Sequence, residues 1–178
     1  MIVAVLAGGR GRRMGEPKPL AELGGAPLVQ RPLAAAAAAG LEAVVVAKAG
    51  TPLPDVPEVW HEPDEPTHPL LGIVTALERA GGPVVAVACD MPFVPPELLA
   101  RLAAGPEHAV LLDGRLMPFP ARYEPAWLPS LHAALAAEAP VRAALEACGP
   151  VLLPYDDAAA LRSVDTPEDL AAAALELR

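Results

Sequence analysis

Between Leu6 and Lys18 the chain reads Leu6-Ala7-Gly8-Gly9-Arg10-Gly11-Arg12-Arg13-Met14-Gly15-Glu16-Pro17-Lys18, a segment with four glycines and four cations. Glycine lets a backbone take positive φ and approach a ligand closely. Successive amide N–H groups in such a loop form a concavity suited to phosphate oxygens. The chain carries 13 Lys and Arg against 22 Asp and Glu, a net charge of -9, so this segment locally inverts the overall charge. A polyphosphate is the natural ligand. Two common phosphate motifs do not fit. A Walker loop needs G-x-x-x-x-G-K-[ST], whereas Lys18 lies between Pro17 and Pro19. A dinucleotide fingerprint wants a third glycine where Met14 stands, and an acidic residue where Ala47-Lys48 stand.

Ala88-Cys89-Asp90-Met91-Pro92 ends a strongly apolar run in a carboxylate. An oxygen ligand at that place suits Mg²⁺, which takes few protein groups and keeps water or phosphate oxygens as the rest. Taken alone, Asp90 reads equally as a turn or helix-capping residue. Glu62-Pro63-Asp64-Glu65 precedes His68-Pro69-Leu70-Leu71-Gly72. One of these acids can accept hydrogen bonds from a base or ribose, or all can simply be solvated. His61, His68, His108 and His132 show no metal-ligand spacing. No Ser-His-Asp or Cys-His arrangement is inferable, and Cys89 reads as a core residue.

These groups need elements to place them. Ile2–Ala7, Ala43–Ala47 and Pro83–Cys89 read as strands buried on both faces, and Glu58–His61 as a short one. Helices are expected over Leu28–Ala39, with Pro27 at its first position and Gly40 as its stop, and over Leu71–Ala80, ended by Gly81-Gly82. Pro95–Ala104, Ala126–Glu138 and Val141–Cys148 also read as helical. Further strands are expected at Ala109–Asp113, Met117–Tyr123, Val151–Leu153 and Leu161–Val164. Thr166 caps a last helix, with Asp169 at the reciprocal capping position. Repeated strand–loop–helix order predicts an α/β fold, three layers α/β/α with a mostly parallel sheet. Ligands of such sheets sit beyond the carboxyl ends of the strands, where Gly8-Gly9 and Asp90 fall and Lys48 lies just past the second strand.

The length of 178 residues suits one domain, taken as residues 1–178. Hydrophobic residues at 53% suffice for a core, but aromatics at 3% leave Ala, Leu and Val to build it. No broad basic face favours nucleic acid, and no apolar run approaches the ~20 residues of a membrane span. No basic stretch precedes the apolar residues 1–7, which argues against a leader peptide. Two cysteines, Cys89 and Cys148, read as buried thiols of a cytoplasmic protein. The chain has no Asn, one Gln, 38 Ala and 23 Pro. Such usage fits heat adaptation or a GC-rich genome equally.

Taken together, Leu6-Ala7-Gly8-Gly9, Arg13-Met14-Gly15 and Lys18 resemble the opening of the Rossmann-like nucleotidyltransferases. Three later stretches resemble the MobA-like branch, the molybdenum cofactor guanylyltransferases: Pro69-Leu70-Leu71-Gly72, Cys89-Asp90-Met91-Pro92-Phe93 and Val164-Asp165-Thr166-Pro167-Glu168-Asp169. There are departures. Pro17 precedes the loop lysine, as in cytidylyl-transferring relatives. His68 replaces a glycine, Ala47 stands where an asparagine is common, and Ser163 replaces another asparagine.

The resemblance implies a Rossmann-like nucleotidyltransferase fold and transfer of GMP from Mg²⁺-bound GTP to the phosphate of molybdopterin, with release of pyrophosphate. It implies nucleotide contacts from Leu6, Ala7, Gly8, Gly9, Arg10, Gly11, Arg12 and Lys18. Charge neutralisation would come from Lys18 and Arg13, and the metal would sit on Asp90. Counting back from Gly72 places the nucleotide-contacting acid nearest Glu62, with Asp64 as the alternative. By position, Met117–Tyr123 would line the acceptor pocket. A protein partner is also admitted, an enzyme receiving the cofactor or a chaperone for it. A CTP-using or sugar-phosphate-activating relative, and a non-catalytic nucleotide-binding module, are the competing expectations.

Overall fold

The structure, a computed structural model, describes residues 1–9 and 14–177. Its strands and helices follow in the order β1 (Ile2–Leu6), β2 (Glu22–Leu23), β3 (Ala26–Pro27), α1 (Gln30–Ala38), β4 (Glu42–Lys48), β5 (Val59–Glu62), α2 (Pro69–Ala80), β6 (Val84–Ala88), α3 (Pro96–Ala104), β7 (Ala109–Leu112), β8 (Arg115–Tyr123), α4 (Leu128–Ala136), α5 (Val141–Ala147), β9 (Leu152–Tyr155) and α6 (Pro167–Glu176). Single 3-10 turns lie at Lys18–Leu20, Pro125–Trp127 and Ala159–Leu161.

Seven strands form one sheet in the order β5-β4-β1-β6-β8-β7-β9. Strand β8 runs antiparallel to β6 and β7, and the other pairings are parallel. Alternate side chains of each central strand point to opposite faces, as the pleat requires. Val3, Val5, Val45, Val85 and Val87 pack under α1 and α3, against Leu33, Leu98, Leu99 and Leu102. Ala4, Val44, Val46, Val84 and Ala86 pack under α2, α4 and α5, against Ile73, Leu77, Leu131 and Leu145. The three-layer α/β/α architecture and the mostly parallel sheet agree with the sequence-based expectation.

Local chemistry sets the ends of the elements. Helix α2 opens at His68, whose Nδ1 accepts from the Leu70 N–H at 3.2 Å, and closes on Gly81 at φ +62°. That left-handed cap costs a β-carbon about 1–2 kcal/mol, which glycine avoids. The capping box expected at α6 is present, with the Asp169 N–H donating to Thr166 Oγ1 and the Thr166 N–H to an Asp169 oxygen.

Several expected boundaries are corrected. Pro27 lies in β3, not at the start of a helix, and α1 begins only at Gln30. A small hairpin of β2 and β3 intervenes, and the Leu28 N–H returns to the Ala21 carbonyl. Burial explains the delay, because Leu23 and Leu28 are fully buried in a third apolar cluster with Met14, Val164 and Ala173. The strand expected at Leu161–Val164 is a 3-10 turn ending at Leu161, followed by irregular chain. Pro125–Trp127 forms a separate 3-10 turn ahead of α4. Glu62 ends β5 rather than lying in the following loop.

Candidate functional site

The parallel register aligns Leu6 of β1 with Val46 of β4 and with Ala88 of β6, so β1 and β6 end at one level while β4 runs on to Lys48. Past β6, the Cys89 N–H donates to the Leu6 carbonyl and the Met91 N–H to the Ala88 carbonyl. This turn presents Asp90 at the strand tip. Lys18 opens a 3-10 turn flanked by prolines, Pro17 and Pro19, whose rings fix the backbone there. Near the other end of the chain, the Val164 N–H donates to the Asp90 carbonyl at 2.8 Å and brings Asp165 to the same place.

These three segments meet at the Lys18 ammonium. Its Nζ lies 2.6 Å from Asp90 Oδ2 and 2.6 Å from Asp165 Oδ1. Burial opposes the charge on Lys18, but the two carboxylates outweigh it and hold the amine above the ordinary lysine range. Asp90 Oδ1 is buried and accepts no hydrogen bond from the described residues. An uncompensated buried oxygen of this kind is costly. It is also what a Mg²⁺ ligand requires, so Asp90 fits the metal role. No group of three or more His, Cys, Asp or Glu side chains could hold a metal among the described residues.

Glu62 is the only polar or charged residue in the buried class among the described residues, with 8% exposure. Its carboxylate fills space that the absence of two β-carbons leaves open. A β-carbon at Gly8 would stand 2.0 Å from Glu62 Oε1, and one at Gly72 would stand 2.9 Å from Oε2. Burial raises the Glu62 carboxyl above its ordinary range, and Lys48 partly opposes this from 3.9 Å. Lys48 is the register partner of Glu62 across β4 and β5. Its ammonium also donates to the carbonyls of Pro63 and Asp64, tying down the chain beyond β5.

The groups line one crevice of about 460 Å³, bounded by Leu6, Gly8, Gly9, Lys18, Glu62 and Asp90, with His68, Gly72, Phe119 and Ser163 completing its walls. The volume is in the range of small-molecule sites. A smaller cleft of about 320 Å³ shares Gly8 and Gly9 and is lined by Lys48 and Asp64. Of the two candidate acids, Glu62 therefore faces the main crevice and Asp64 the side cleft. Ala7 is buried and continues the ladder through a bond to the Val46 carbonyl rather than lining the crevice. Arg10, Gly11, Arg12 and Arg13 lie outside the described residues. In the stretch Met117–Tyr123, Phe119 lines the crevice, while Met117 and Pro118 line a separate groove beside Arg115 and Arg142. Cys89 and Cys148 are both free, the first buried and the second partly buried. Burial pushes the Cys89 thiol up to about 12, which disfavours the thiolate.

Sequence reasoning passed over Asp165 as a side chain of the site. It appeared only inside the stretch Val164–Asp169 quoted for its family resemblance, although an acid directly before a capping threonine sits at a helix entry able to face the crevice. Lys48 was noted by position, but its pairing with Glu62 depends on the β4–β5 register.

Residues 3–167 match the MobA-like NTP transferase domain. The chain is 38% identical over 187 aligned positions to a molybdenum cofactor guanylyltransferase of Rhodobacter capsulatus, covering 98% of this chain and 95% of that one. The crystal structure of molybdopterin-guanine dinucleotide biosynthesis protein A of Archaeoglobus fulgidus superposes with a TM-score of 0.76 at 26% identity, covering 99% of this chain and 98% of that one. The 2-C-methyl-D-erythritol 4-phosphate cytidylyltransferase of Thermus thermophilus shares the fold, with a TM-score of 0.72 at 20% identity and 98% coverage of both chains.

Proposed function

The chain belongs to the MobA-like NTP transferase family, and from that premise we propose that it transfers GMP from GTP to the phosphate of molybdopterin, releasing pyrophosphate. The observation that carries the reading is the strand-end pair of Asp90, with its uncompensated buried oxygen, and Lys18 beside the Gly8-Gly9 turn. The guanine and the molybdopterin acceptor rest on the relative of near-full coverage. Residues 1–178 act as one catalytic domain in this proposal. A cytoplasmic site of action is part of it, supported by the two free thiols.

In the reaction an oxygen of the acceptor phosphate bonds to the α-phosphorus of GTP. The bond from that phosphorus to the bridging oxygen breaks, and pyrophosphate leaves with the electron pair. The acceptor phosphate is already ionised, so no general base is needed. The protein's task is to hold two anions in line and offset their charge. Lys18 supplies a fixed positive charge at the crevice. Glu62, at its floor, offers two acceptor oxygens to donors on the nucleoside. Gly8 and Gly9 admit the nucleotide close to the backbone. Arg10, Arg12 and Arg13 supply further cations in this reading, and Arg13 assists the transfer. Asp90 would hold Mg²⁺, which when bound supplies Lewis-acid neutralisation of phosphate charge.

The test is calorimetric binding of the Mg²⁺ complexes of GTP, CTP, ATP and UTP, with Asp90→Ala as control. Tightest binding of GTP, weakened at least about tenfold in the variant, is expected. Preference for CTP would transfer the chain to cytidylyl chemistry, and no nucleotide binding would overturn the site.

A further inference from the structure

We infer that Asp165 is a positioning residue, whose carboxylate holds the Lys18 ammonium at its working place over the crevice. The inference rests on the proposed role of Lys18 toward nucleotide phosphates and adds the residue that makes that role possible.

A lysine side chain is a flexible stem carrying a compact charge, and it loses considerable rotamer freedom when its head is fixed. A head fixed before substrate arrives works as a preorganised charge. Lys18 Nζ is bonded equally, at 2.6 Å, to Asp90 and Asp165. Asp90 alone is a poor anchor, because the same carboxylate presents the buried Oδ1 that suits a cation. Asp165 supplies a second anchor from a separate element. Its side chain is 37% exposed, at the rim, whereas those of Lys18 and Asp90 are 15% and 17% exposed.

The backbone under Asp165 is itself fixed. Its N–H donates to an oxygen of Asp169 at 3.0 Å, inside the capping arrangement of α6. The preceding Val164 donates to the Asp90 carbonyl. Val164 and Ala173 are buried with Met14, Ala21 and Leu23, residues on either side of Lys18 in sequence. The two backbones that must hold the ion pair in register thus share one apolar cluster. The side-chain bond of Asp165 to Lys18 is separate from the cap, which uses the Asp165 backbone. A cap defect and a positioning defect can therefore be told apart.

The chain has two lysines, Lys18 and Lys48, so ¹⁵N-lysine labelling of the whole protein reports each ammonium with the other as internal control. In the wild type both ammonium signals are expected, each protected from solvent exchange by its hydrogen bonds. In Asp165→Ala the Lys18 signal is lost and the Lys48 signal stays. In Thr166→Ala, which removes the hydroxyl half of the cap but keeps the Asp165 carboxylate, both stay. Turnover is then compared, with kcat falling about 10- to 100-fold in Asp165→Ala. The Michaelis constant for Mg·GTP changes less than threefold, and Asp165→Glu recovers part of the loss. Thr166→Ala retains kcat within twofold. A Lys18 signal unchanged in Asp165→Ala overturns the inference. So does a kcat within twofold of wild type, or a Thr166→Ala variant that reproduces both losses. Wild-type protein that turns over no GTP would overturn the proposed reaction instead, and the lysine spectra would still decide the placement of Lys18.

Discussion

Glu62 occupies volume that a side chain at position 8 would need, and this couples a glycine of the loop to an acid 54 residues later. The Gly8→Ala variant must push the carboxylate off its place, since the contact would be 2.0 Å. The atom met is the far end of a flexible side chain beside an open crevice, so we expect stability to change by less than about 1 kcal/mol while Mg·GTP binding weakens. Urea denaturation and calorimetry measure the two effects, and Mg·GTP binding unchanged in Gly8→Ala would contradict the packing. Cys89 makes a second residue-scale prediction. The thiolate is the reactive form, and burial pushes this thiol to about 12. A disulfide reagent at pH 8 should therefore leave Cys89 unlabelled in the folded protein and label it on unfolding. Rapid labelling of Cys89 in the folded state would show that the crevice wall is open there.

The elements around these residues divide into those readable from local sequence and those set by tertiary packing. Strand β6 and the capping box of α6 were legible, because a continuous Val-rich run and a Thr-Pro-Glu-Asp sequence each carry their own physics. The β2–β3 hairpin was not. Pro27 looks like a helix start, but the burial of Leu23 and Leu28 with Val164 and Ala173 keeps Pro27 in the hairpin, and a turn at Leu28-Val29 precedes α1. Leu161–Val164 failed as a strand for a related reason. Its apolar residues are buried, yet Val164 bonds to the turn at Asp90 instead of joining a ladder. Helices α4 and α5 belong to the sheet's second face and line no part of the crevice. Leu131→Ala, at a fully buried position of α4, should cost about 2–5 kcal/mol in denaturation experiments. Its kcat should stay within twofold of wild type at a temperature where the variant is folded, and a larger fall would assign that layer a part in the site.

At the scale of the whole molecule, an acidic chain concentrates its chemistry where parallel strands end. The position of Lys18 and Asp90 in that crevice was legible, since a glycine loop and an acid each follow an apolar strand. The closing of the site by Asp165 was not, because the pair is 147 residues apart and depends on α6 packing beside the loop. The Glu62–Lys48 pair needed the register of two adjacent strands. Family membership and the crevice converge on one reaction, whose most direct measurement is pyrophosphate release from Mg·GTP with molybdopterin as acceptor. Release that requires molybdopterin, prefers GTP to CTP and falls at least about a hundredfold in Asp90→Ala is the predicted result. Release at an undiminished rate in Asp90→Ala, or none from the wild type, would contradict the account.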